Sequence, residues 1–172
     1  MNITIREATK INVLLLSELS TQTFYETYAT FNTKENMESY VKNNFAVEAL
    51  EKNFDEPNAR FFIAYADEMP VGYAKLRTVE VPEAMRNRNH LELERIYVKQ
   101  DFKGMKIGKK LISKSIEVAK QKGFEVLWLG VWEHNEKALA FYKKMGFEIF
   151  DEHIFKLGND EQRDYLMKRE LR

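Results

Sequence analysis

A phenol on a short, well-bounded helix is the side chain of this sequence with the clearest chemical potential. Residues 135–147 read NEKALAFYKKMGF, and apolar residues recur there at helical spacing. Asn135 is a good N-cap, and Gly146 is the residue type that ends helices in the left-handed conformation. Periodicity alone favours packing of Tyr142 in a core. A phenol at that position can also donate a proton to a leaving group.

A basic loop with two glycines precedes a second predicted helix, at about residues 107–122. The backbone N–H groups at a helix amino terminus are unpaired and carry partial positive charge, so a turn that admits an anion there can hold a phosphate. Gly104 and Gly108 would permit that approach, and the surrounding charge comes from Lys103, Lys106, Lys109 and Lys110. A solvated basic helix start is the alternative, because two glycines in a loop are not specific.

Two carboxylates lie on a strand predicted at residues 90–98. Simple alternation puts Glu92 and Glu94 on one face with Ile96, and neither face is purely polar. The strand is therefore predicted to be central and covered on both sides. Glu94 could remove a proton from a reacting group, and Glu92 could attract a cation; a salt bridge on the strand face is the alternative for both.

The elements that must position these residues are mixed strands and helices without a strict repeat. The sequence predicts an edge strand at the amino terminus, followed by helices within residues 11–28 and 33–53. The second helical segment is predicted to break near Asn43 and Asn44. Two strands at 60–66 and 71–79 are predicted to form a hairpin. A loop at 82–89 leads to the 90–98 strand. Later strands are predicted at 126–131, 147–155 and 165–170. With no linker or repeat, residues 1–172 are predicted to form a single domain.

Composition excludes several classes of function. The 27 basic residues balance 27 acidic ones, so no net field draws the chain to nucleic acid or to a membrane surface. The absence of cysteine excludes disulfides and thiolate chemistry, and three isolated histidines predict no metal site. No apolar stretch approaches the roughly 20 residues that cross a bilayer, and the amino terminus lacks a signal-peptide pattern. We expect a cytoplasmic protein.

The two motifs together resemble the signatures of the GCN5-related N-acetyltransferase (GNAT) superfamily. IYVKQDFKGMKIGKKL at residues 96–111 and NEKALAFYKKMGF stand in the order of that family, with one strand between them. Within the superfamily, LELERIYV, WLGVWEHNEKALAFYKKMGF and LGNDEQRDYLM are most similar to the PaiA-type spermidine/spermine acetyltransferases. The resemblance spans nearly the whole chain. It implies an α/β (α+β) GNAT fold, with one mixed, mostly antiparallel sheet that is splayed between two central strands and flanked by helices.

The phosphate loop departs from the family pattern at two positions. The family motif has Gln or Arg at its first position, Gly three positions later, and Gly or Ala two positions after that. In this chain these three positions are Lys103, Lys106 and Gly108, so lysine replaces the first two expected residues, and an extra glycine stands at Gly104. Lys106 can serve if its backbone angle is not one that only glycine tolerates, and its ammonium could reach cofactor phosphates. The departure concerns the affinity for the cofactor more than the fold.

The resemblance implies transfer of an acetyl group from acetyl-CoA to a primary amine by direct attack. It implies Tyr142 as the general acid for the departing thiolate, Glu94 as the base, acting directly or through water, and a backbone N–H near Ile96 or Tyr97 for the oxyanion. The cofactor-binding residues that it implies are Ile96, Tyr97, Val98, Lys103, Gly104, Met105, Lys106, Ile107, Gly108, Lys109, Asn135 and Lys144. N-capping alone would also explain Asn135, and Lys144 could simply face solvent.

The acceptor is a small-molecule amine in this interpretation, with Glu26, Tyr28 and Glu92 as its contacts. A solvated helix face explains Glu26 nearly as well. A polyamine such as spermidine or spermine is favoured, because several cations call for a pocket lined with carboxylates. The alternatives are acetylation of protein N-termini or lysines, and a CoA-binding regulatory protein with weak catalysis. A homodimer is possible, since the final strands of such folds often pair across subunits.

Overall fold

A seven-stranded sheet forms the centre of the molecule in a computed structural model that describes residues 1–172. Its strands are β1 (Ile3–Glu7), β2 (Arg60–Ala66), β3 (Met69–Arg77), β4 (His90–Val98), β5 (Val126–Trp132), β6 (Glu148–Leu157) and β7 (Asp160–Glu170). The order is β1-β2-β3-β4-β5-β7-β6, and β4 and β5 are the parallel pair. The predicted fold class, a mixed and mostly antiparallel sheet flanked by helices, is confirmed.

Five α-helices cover the two faces of the sheet. They are α1 (Val13–Tyr28), α2 (Lys34–Phe45), α3 (Val47–Asn53), α4 (Ile107–Gln121) and α5 (Glu136–Lys144). The largest apolar core lies between the sheet and α4 and α5. A second core joins α1 and α3 to the opposite face of β2 and β3. None of these helices is both long enough and apolar enough to cross a lipid bilayer.

Local chemistry shifts several element boundaries from their predicted places. Thr9 caps a short 3-10 turn at Lys10–Asn12, so α1 begins at Val13. The break between α2 and α3 falls at Ala46, whose backbone is extended, and not at the two asparagines before it. The turn between β2 and β3 needs only two residues, because Asp67 adopts a positive φ of 54°. β7 begins at Asp160, five residues earlier than predicted.

The two central strands pair over a short stretch and then separate. β4 and β5 are in register only at the pairs His90↔Val126, Leu91↔Leu127 and Glu92↔Trp128. Just beyond this point β4 carries a bulge against β3, where Lys75 pairs with Arg95 and Leu76 pairs with Leu93. Glu94 is the extra residue. A bulge bends a strand and increases its twist, which directs β4 away from β5 and opens a gap between them.

The bulge also corrects the predicted faces of β4. Alternation placed Ile96 with the two glutamates, but Ile96 packs with Leu93 against the core under α4. Glu92 and Glu94 contact Arg77 and Lys75 on the opposite face, which α1, α2 and α3 cover. The prediction was wrong because one extra residue moves every following side chain to the other face of the sheet.

Candidate active site

The gap between β4 and β5 opens into a cavity of about 200 Å³. Five elements contribute to its wall: α1, β4, β5, α5 and β7. The predicted site residues that line it are Tyr28, Glu94, Ile96, Tyr97, Val98, Lys103, Asn135 and Tyr142. Residues from the two sequence motifs therefore meet at one place in the fold.

A larger groove of about 630 Å³ lies on the face of the sheet that α2 covers. Its wall is rich in carboxylates, which are Glu80, Glu92, Glu94, Asp151, Glu152 and Asp164, and it includes the guanidinium groups of Arg77 and Arg95. Four residues line both the groove and the cavity: Glu94, Tyr97, Gly130 and Asp164. The two spaces thus meet at the gap in the sheet.

Tyr142 is held on α5 with its side chain almost fully buried, at 8% exposure. Asn135 caps the helix by accepting a hydrogen bond from the Ala138 N–H at 3.2 Å, and Gly146 follows the helix with a φ of +89°. Both helix boundary predictions are confirmed. Burial raises the pKa of the Tyr142 phenol well above its ordinary value, and Tyr28 adds to this rise. The phenol is therefore protonated at neutral pH, and its side chain lines the cavity.

Glu94 is surrounded by cations. Its carboxylate accepts hydrogen bonds from Lys75 Nζ at 2.9 and 3.0 Å, and it lies 3.0 Å from Arg77 Nε and 3.2 Å from Arg95 Nη2. Burial would raise the pKa of Glu94, but Arg95, Lys75 and Arg77 outweigh it and the pKa is lowered. Glu94 is a stable carboxylate and hence a weak proton acceptor, so its assignment as the base stays a prediction.

The other predicted acceptor contacts occupy three different settings. Glu92 lines the groove and accepts a hydrogen bond from Arg77 Nε at 2.9 Å; burial raises its pKa to about 7, against the effect of Arg77. Tyr28 lines the cavity, where burial raises its pKa. Glu26 reaches neither space. Its carboxylate accepts a hydrogen bond from the Gln100 N–H at 3.0 Å, which braces the turn after β4.

The basic loop presents free backbone N–H groups at the start of α4. This helix has no side-chain cap, and its first turn closes with a bond from the Lys110 N–H to the Lys106 carbonyl. The N–H groups of Ile107, Gly108 and Lys109 precede that bond and have no helical partner. Lys106 has φ 64° and ψ 19°, in the left-handed region that favours glycine and costs other residues about 1–2 kcal/mol.

Further basic residues gather beside this loop. Lys109 and Lys144 line one surface groove together with Lys168 and Arg169. Gly104 has a φ of +86°, and Met105 next to it is 38% exposed. The structure therefore brings Lys144 to the same groove as a lysine of the predicted phosphate loop, although the two lie far apart in the sequence.

The backbone of β4 supplies hydrogen-bonding groups inside the gap. The Lys99 N–H donates to the Val71 carbonyl on β3. Because successive peptide groups of a strand point to opposite sides, Tyr97 also faces β3, whereas Ile96 and Val98 face the side that β5 has left. Of the two candidates for an oxyanion donor, the geometry favours Ile96.

Comparison with known proteins identifies the family. A family model described as the acetyltransferase (GNAT) family matches residues 21–147. The chain belongs to the GNAT family of acetyltransferases. It is therefore an acyltransferase, and acetyl-CoA is its cosubstrate. No group of three or more histidine, aspartate or glutamate side chains is placed to hold a metal ion in this acetyltransferase.

Two relatives and one solved structure indicate where the acetyltransferase lies within the family. It is 35% identical over 153 residues to an N-acetyltransferase of Lactobacillus delbrueckii subsp. lactis, covering 89% of this chain and 88% of the relative. It is 28% identical to the spermidine N(1)-acetyltransferase of Thermoplasma acidophilum, over 88% and 91% of the two chains. The crystal structure of the PaiA N-acetyltransferase of that organism, in complex with coenzyme A, superposes with a TM-score of 0.80 at 26% identity and 99% coverage of both chains.

The residues of the acetyltransferase fit coenzyme A at three separate points. The unpaired N–H groups at the start of α4 and the lysines around them suit a pyrophosphate. The free peptide groups of Ile96 and Val98 in the gap suit the amides of a pantetheine arm. The Tyr142 phenol lines the same cavity as Ile96 and Val98. A Cβ added at Gly108 would lie 3.6 Å from the Phe141 ring, an ordinary van der Waals contact, so the packing of α4 on α5 does not by itself require a glycine at this position.

Asn135 offers a test that separates its capping role from a role in cofactor binding. Asn135→Ala is expected to lose about 1 kcal/mol of stability with the cap, whereas Asn135→Ser should retain most of it, because serine also caps helices. Both variants lose the side-chain amide that lines the cavity, and both should bind acetyl-CoA several-fold more weakly. Urea unfolding and calorimetric titration measure the two effects. If Asn135→Ser binds acetyl-CoA as the wild type does, Asn135 acts only as a cap.

Asp164 is the site residue that sequence reasoning missed. It belongs to the segment LGNDEQRDYLM, but the strand there was predicted to start at Tyr165, which left Asp164 in a loop. In the structure it lies within β7, opposite Trp132 of β5 and His153 of β6. A single aspartate between polar residues carries no pattern that would indicate a site.

Proposed function

We propose that this acetyltransferase transfers the acetyl group to a primary amine of an aliphatic polyamine, with spermidine as the first candidate. The observation that carries the proposal is the groove rich in carboxylates that meets the acetyl-CoA cavity at the gap in the sheet. The similarity to a spermidine N(1)-acetyltransferase supports the same class of acceptor.

The charges of the groove leave carboxylates free for a cationic substrate. Glu92 and Glu94 are paired within the protein, with Arg77 and with Lys75 and Arg95. Three other groove carboxylates have no ion pair in the structure: Glu80, Asp151 and Asp164. Because none of these three carboxylates forms an ion pair within the protein, the groove attracts a molecule with several ammonium groups, and opposite charge also accelerates its arrival.

The residues of the gap have separate tasks in the proposed reaction. Acetyl-CoA supplies the thioester that the amine attacks. The Ile96 N–H donates a hydrogen bond to the thioester oxygen, where negative charge develops during attack. Tyr142 holds its proton at neutral pH and donates it towards the departing sulfur. Glu94 remains ionised among its three cations and supplies a fixed negative charge at the junction of groove and cavity.

A panel of acceptors tests the proposed substrate class. Release of CoA from acetyl-CoA is measured with spermidine, spermine, n-butylamine, free lysine and a lysine-containing peptide. We expect kcat/KM to be highest for the polyamines and about tenfold or more lower for n-butylamine, which lacks the additional cations. A preference for the peptide would favour the alternative of protein acetylation. Binding of acetyl-CoA without turnover on any amine would favour a regulatory role.

A cytoplasmic location and a homodimer stay predictions. β6 forms the free edge of the sheet next to β7, and its Ile154 side chain is 57% exposed. An edge strand with an exposed apolar side chain supports pairing between copies of the chain, because it offers unpaired backbone groups.

A further inference from the structure

Two carboxylates lie where the acceptor groove meets the acetyl-CoA cavity, and their surroundings differ sharply. Glu94, on β4, contacts three cationic side chains. Asp164, on β7, takes part in no hydrogen bond or ion pair through its carboxylate. Both residues line both spaces. When two carboxylates at one site have such different environments, they are suited to different tasks.

The Asp164 carboxylate lies beside an opening in the sheet. A Cβ added at Gly130 on β5 would be 3.5 Å from Asp164 Oδ2, so the carboxylate sits over a residue without a side chain. Gly130 is exposed although its neighbours Leu129 and Val131 are buried, because it borders the gap. Gly130 and Asp164 therefore meet at the border of the groove and the cavity, which both residues line.

The charged and titratable groups around Asp164 come from several elements. His153 lies opposite on β6, Tyr28 approaches from α1, and Glu94 and Tyr97 of β4 line both spaces. Arg95 and Glu92 of β4 line the groove only, and Glu92 is held there by a hydrogen bond from Arg77. Burial raises the pKa of Asp164 to about 6, and His153 opposes this rise. At pH 7.5 the carboxylate is ionised, yet it is a stronger proton acceptor than Glu94, whose pKa is lowered.

We propose that Asp164 is the residue that accepts the proton of the attacking amine, directly or through one water molecule. The inference rests on the proposed acetylation of an amine and adds a catalytic residue to it. The acceptor enters as an ammonium ion and gives one proton to Asp164, which frees the nitrogen lone pair. The N–C bond forms as the C–S bond breaks, the nitrogen releases a second proton to solvent, and the sulfur takes a proton from Tyr142, which solvent replaces. Asp164 then gives its proton to solvent, which restores the carboxylate, so one proton is released per turnover overall.

The pH dependence of kcat/KM provides the decisive readout. Below about pH 6 Asp164 is protonated and cannot accept a proton, so kcat/KM of the wild type should rise with pH through about 6 and then level off. This rise is the acidic limb of the pH profile, and in Asp164→Asn it should disappear. The remaining activity should increase steadily towards high pH as the fraction of unprotonated amine in solution grows.

Four variants test the proposal on the best amine of the panel. Asp164→Asn should lower kcat/KM at pH 7.5 by about 10²- to 10⁴-fold, with acetyl-CoA affinity and melting temperature near the wild-type values. Asp164→Glu should recover part of the activity and the acidic limb near pH 6. Asp151→Asn, which changes a second free carboxylate of the groove, should raise KM and keep the acidic limb. Glu94→Gln should keep the acidic limb as well.

Two results would overturn the assignment of Asp164. The first is an Asp164→Asn enzyme within threefold of the wild type with its acidic limb intact. The second is loss of that limb in Glu94→Gln and not in Asp164→Asn, which would return the role to Glu94. If a different amine replaces spermidine as the best acceptor, the proposed substrate fails while the comparison of variants remains decisive. Absence of turnover with every amine would overturn both proposals.

Discussion

Tyr142→Phe is expected to lower kcat by about 10²- to 10⁴-fold while acetyl-CoA still binds with near wild-type affinity. The phenol lines the cavity and keeps its proton because burial raises its pKa. Removing one oxygen leaves the aromatic packing against Phe141 and Phe147 in place. Steady-state kinetics and calorimetric titration with acetyl-CoA measure the two quantities.

A matched control is Tyr65→Phe. Tyr65 lies on β2, where its ring packs beneath the Arg6 guanidinium, and it lines neither the groove nor the cavity. This variant should keep its kcat within twofold of the wild type. An undiminished kcat in Tyr142→Phe would remove the phenol from the chemistry and leave it as a core residue.

Lys75→Met is expected to reduce the free energy of unfolding by about 3–5 kcal/mol. The Lys75 side chain is fully buried, and its ammonium contacts both Glu56 and Glu94. Burial lowers the pKa of Lys75, and the contacts with Glu94 and Glu56 oppose that shift, so the cation depends on these carboxylates. A methionine fills a similar volume but leaves two partly buried carboxylates with one fewer counter-charge. Urea unfolding at pH 7 measures the loss.

The same substitution at the surface is the control. Lys114 on α4 pairs with Glu117 at 3.5 Å and is partly exposed, so Lys114→Met should change stability by less than about 1 kcal/mol. In the double variant Lys75→Met/Glu94→Gln, part of the loss should be recovered, because the buried cluster then loses one anion together with one cation and its charges balance again. Equal stability of Lys75→Met and Lys114→Met would show that the buried cluster does not stabilise the fold.

Local features of the chain could be predicted from the sequence because their causes are local. The cap at Asn135, the glycine after α5 and the periodicity between them fix a helix that carries Tyr142, and the structure contains that helix. The same holds for the basic loop before α4. Even so, the left-handed backbone of Lys106 could not be predicted, since nothing in its neighbours requires a lysine to adopt it.

The bulge on β4 could not be predicted, because it arises from the pairing of two strands and not from either strand alone. Alternation along residues 90–98 is interrupted where Glu94 and Arg95 stand side by side, and two adjacent polar residues do not by themselves fix a register; the shift of β3 against β4 by one residue appears only in the paired strands. This single shift brings Glu94 beside Lys75 and Arg95 and turns Ile96 to the other face. The ion pairs that determine the pKa of Glu94 depend on it.

The position of Asp164 likewise follows from assembly of the sheet. Its strand lies next to β5 although β6 comes between them in the chain, and Gly130 is the residue that it faces there. Only the complete strand order places a carboxylate of the last strand at the opening between β4 and β5. Sequence reasoning therefore described the donor side of the site better than the acceptor side.

In the proposed reaction the two substrates meet across the gap between β4 and β5. The sharpest test of this is to measure initial rates of CoA release while the concentrations of acetyl-CoA and spermidine are both varied. We predict that the rate of CoA release depends on the concentrations of both substrates, and that mass spectrometry finds one acetylspermidine for each CoA released. Double-reciprocal plots should give intersecting lines, because direct transfer requires both substrates in one complex. Parallel lines, or release of CoA that does not respond to spermidine or to any other amine, would contradict this account.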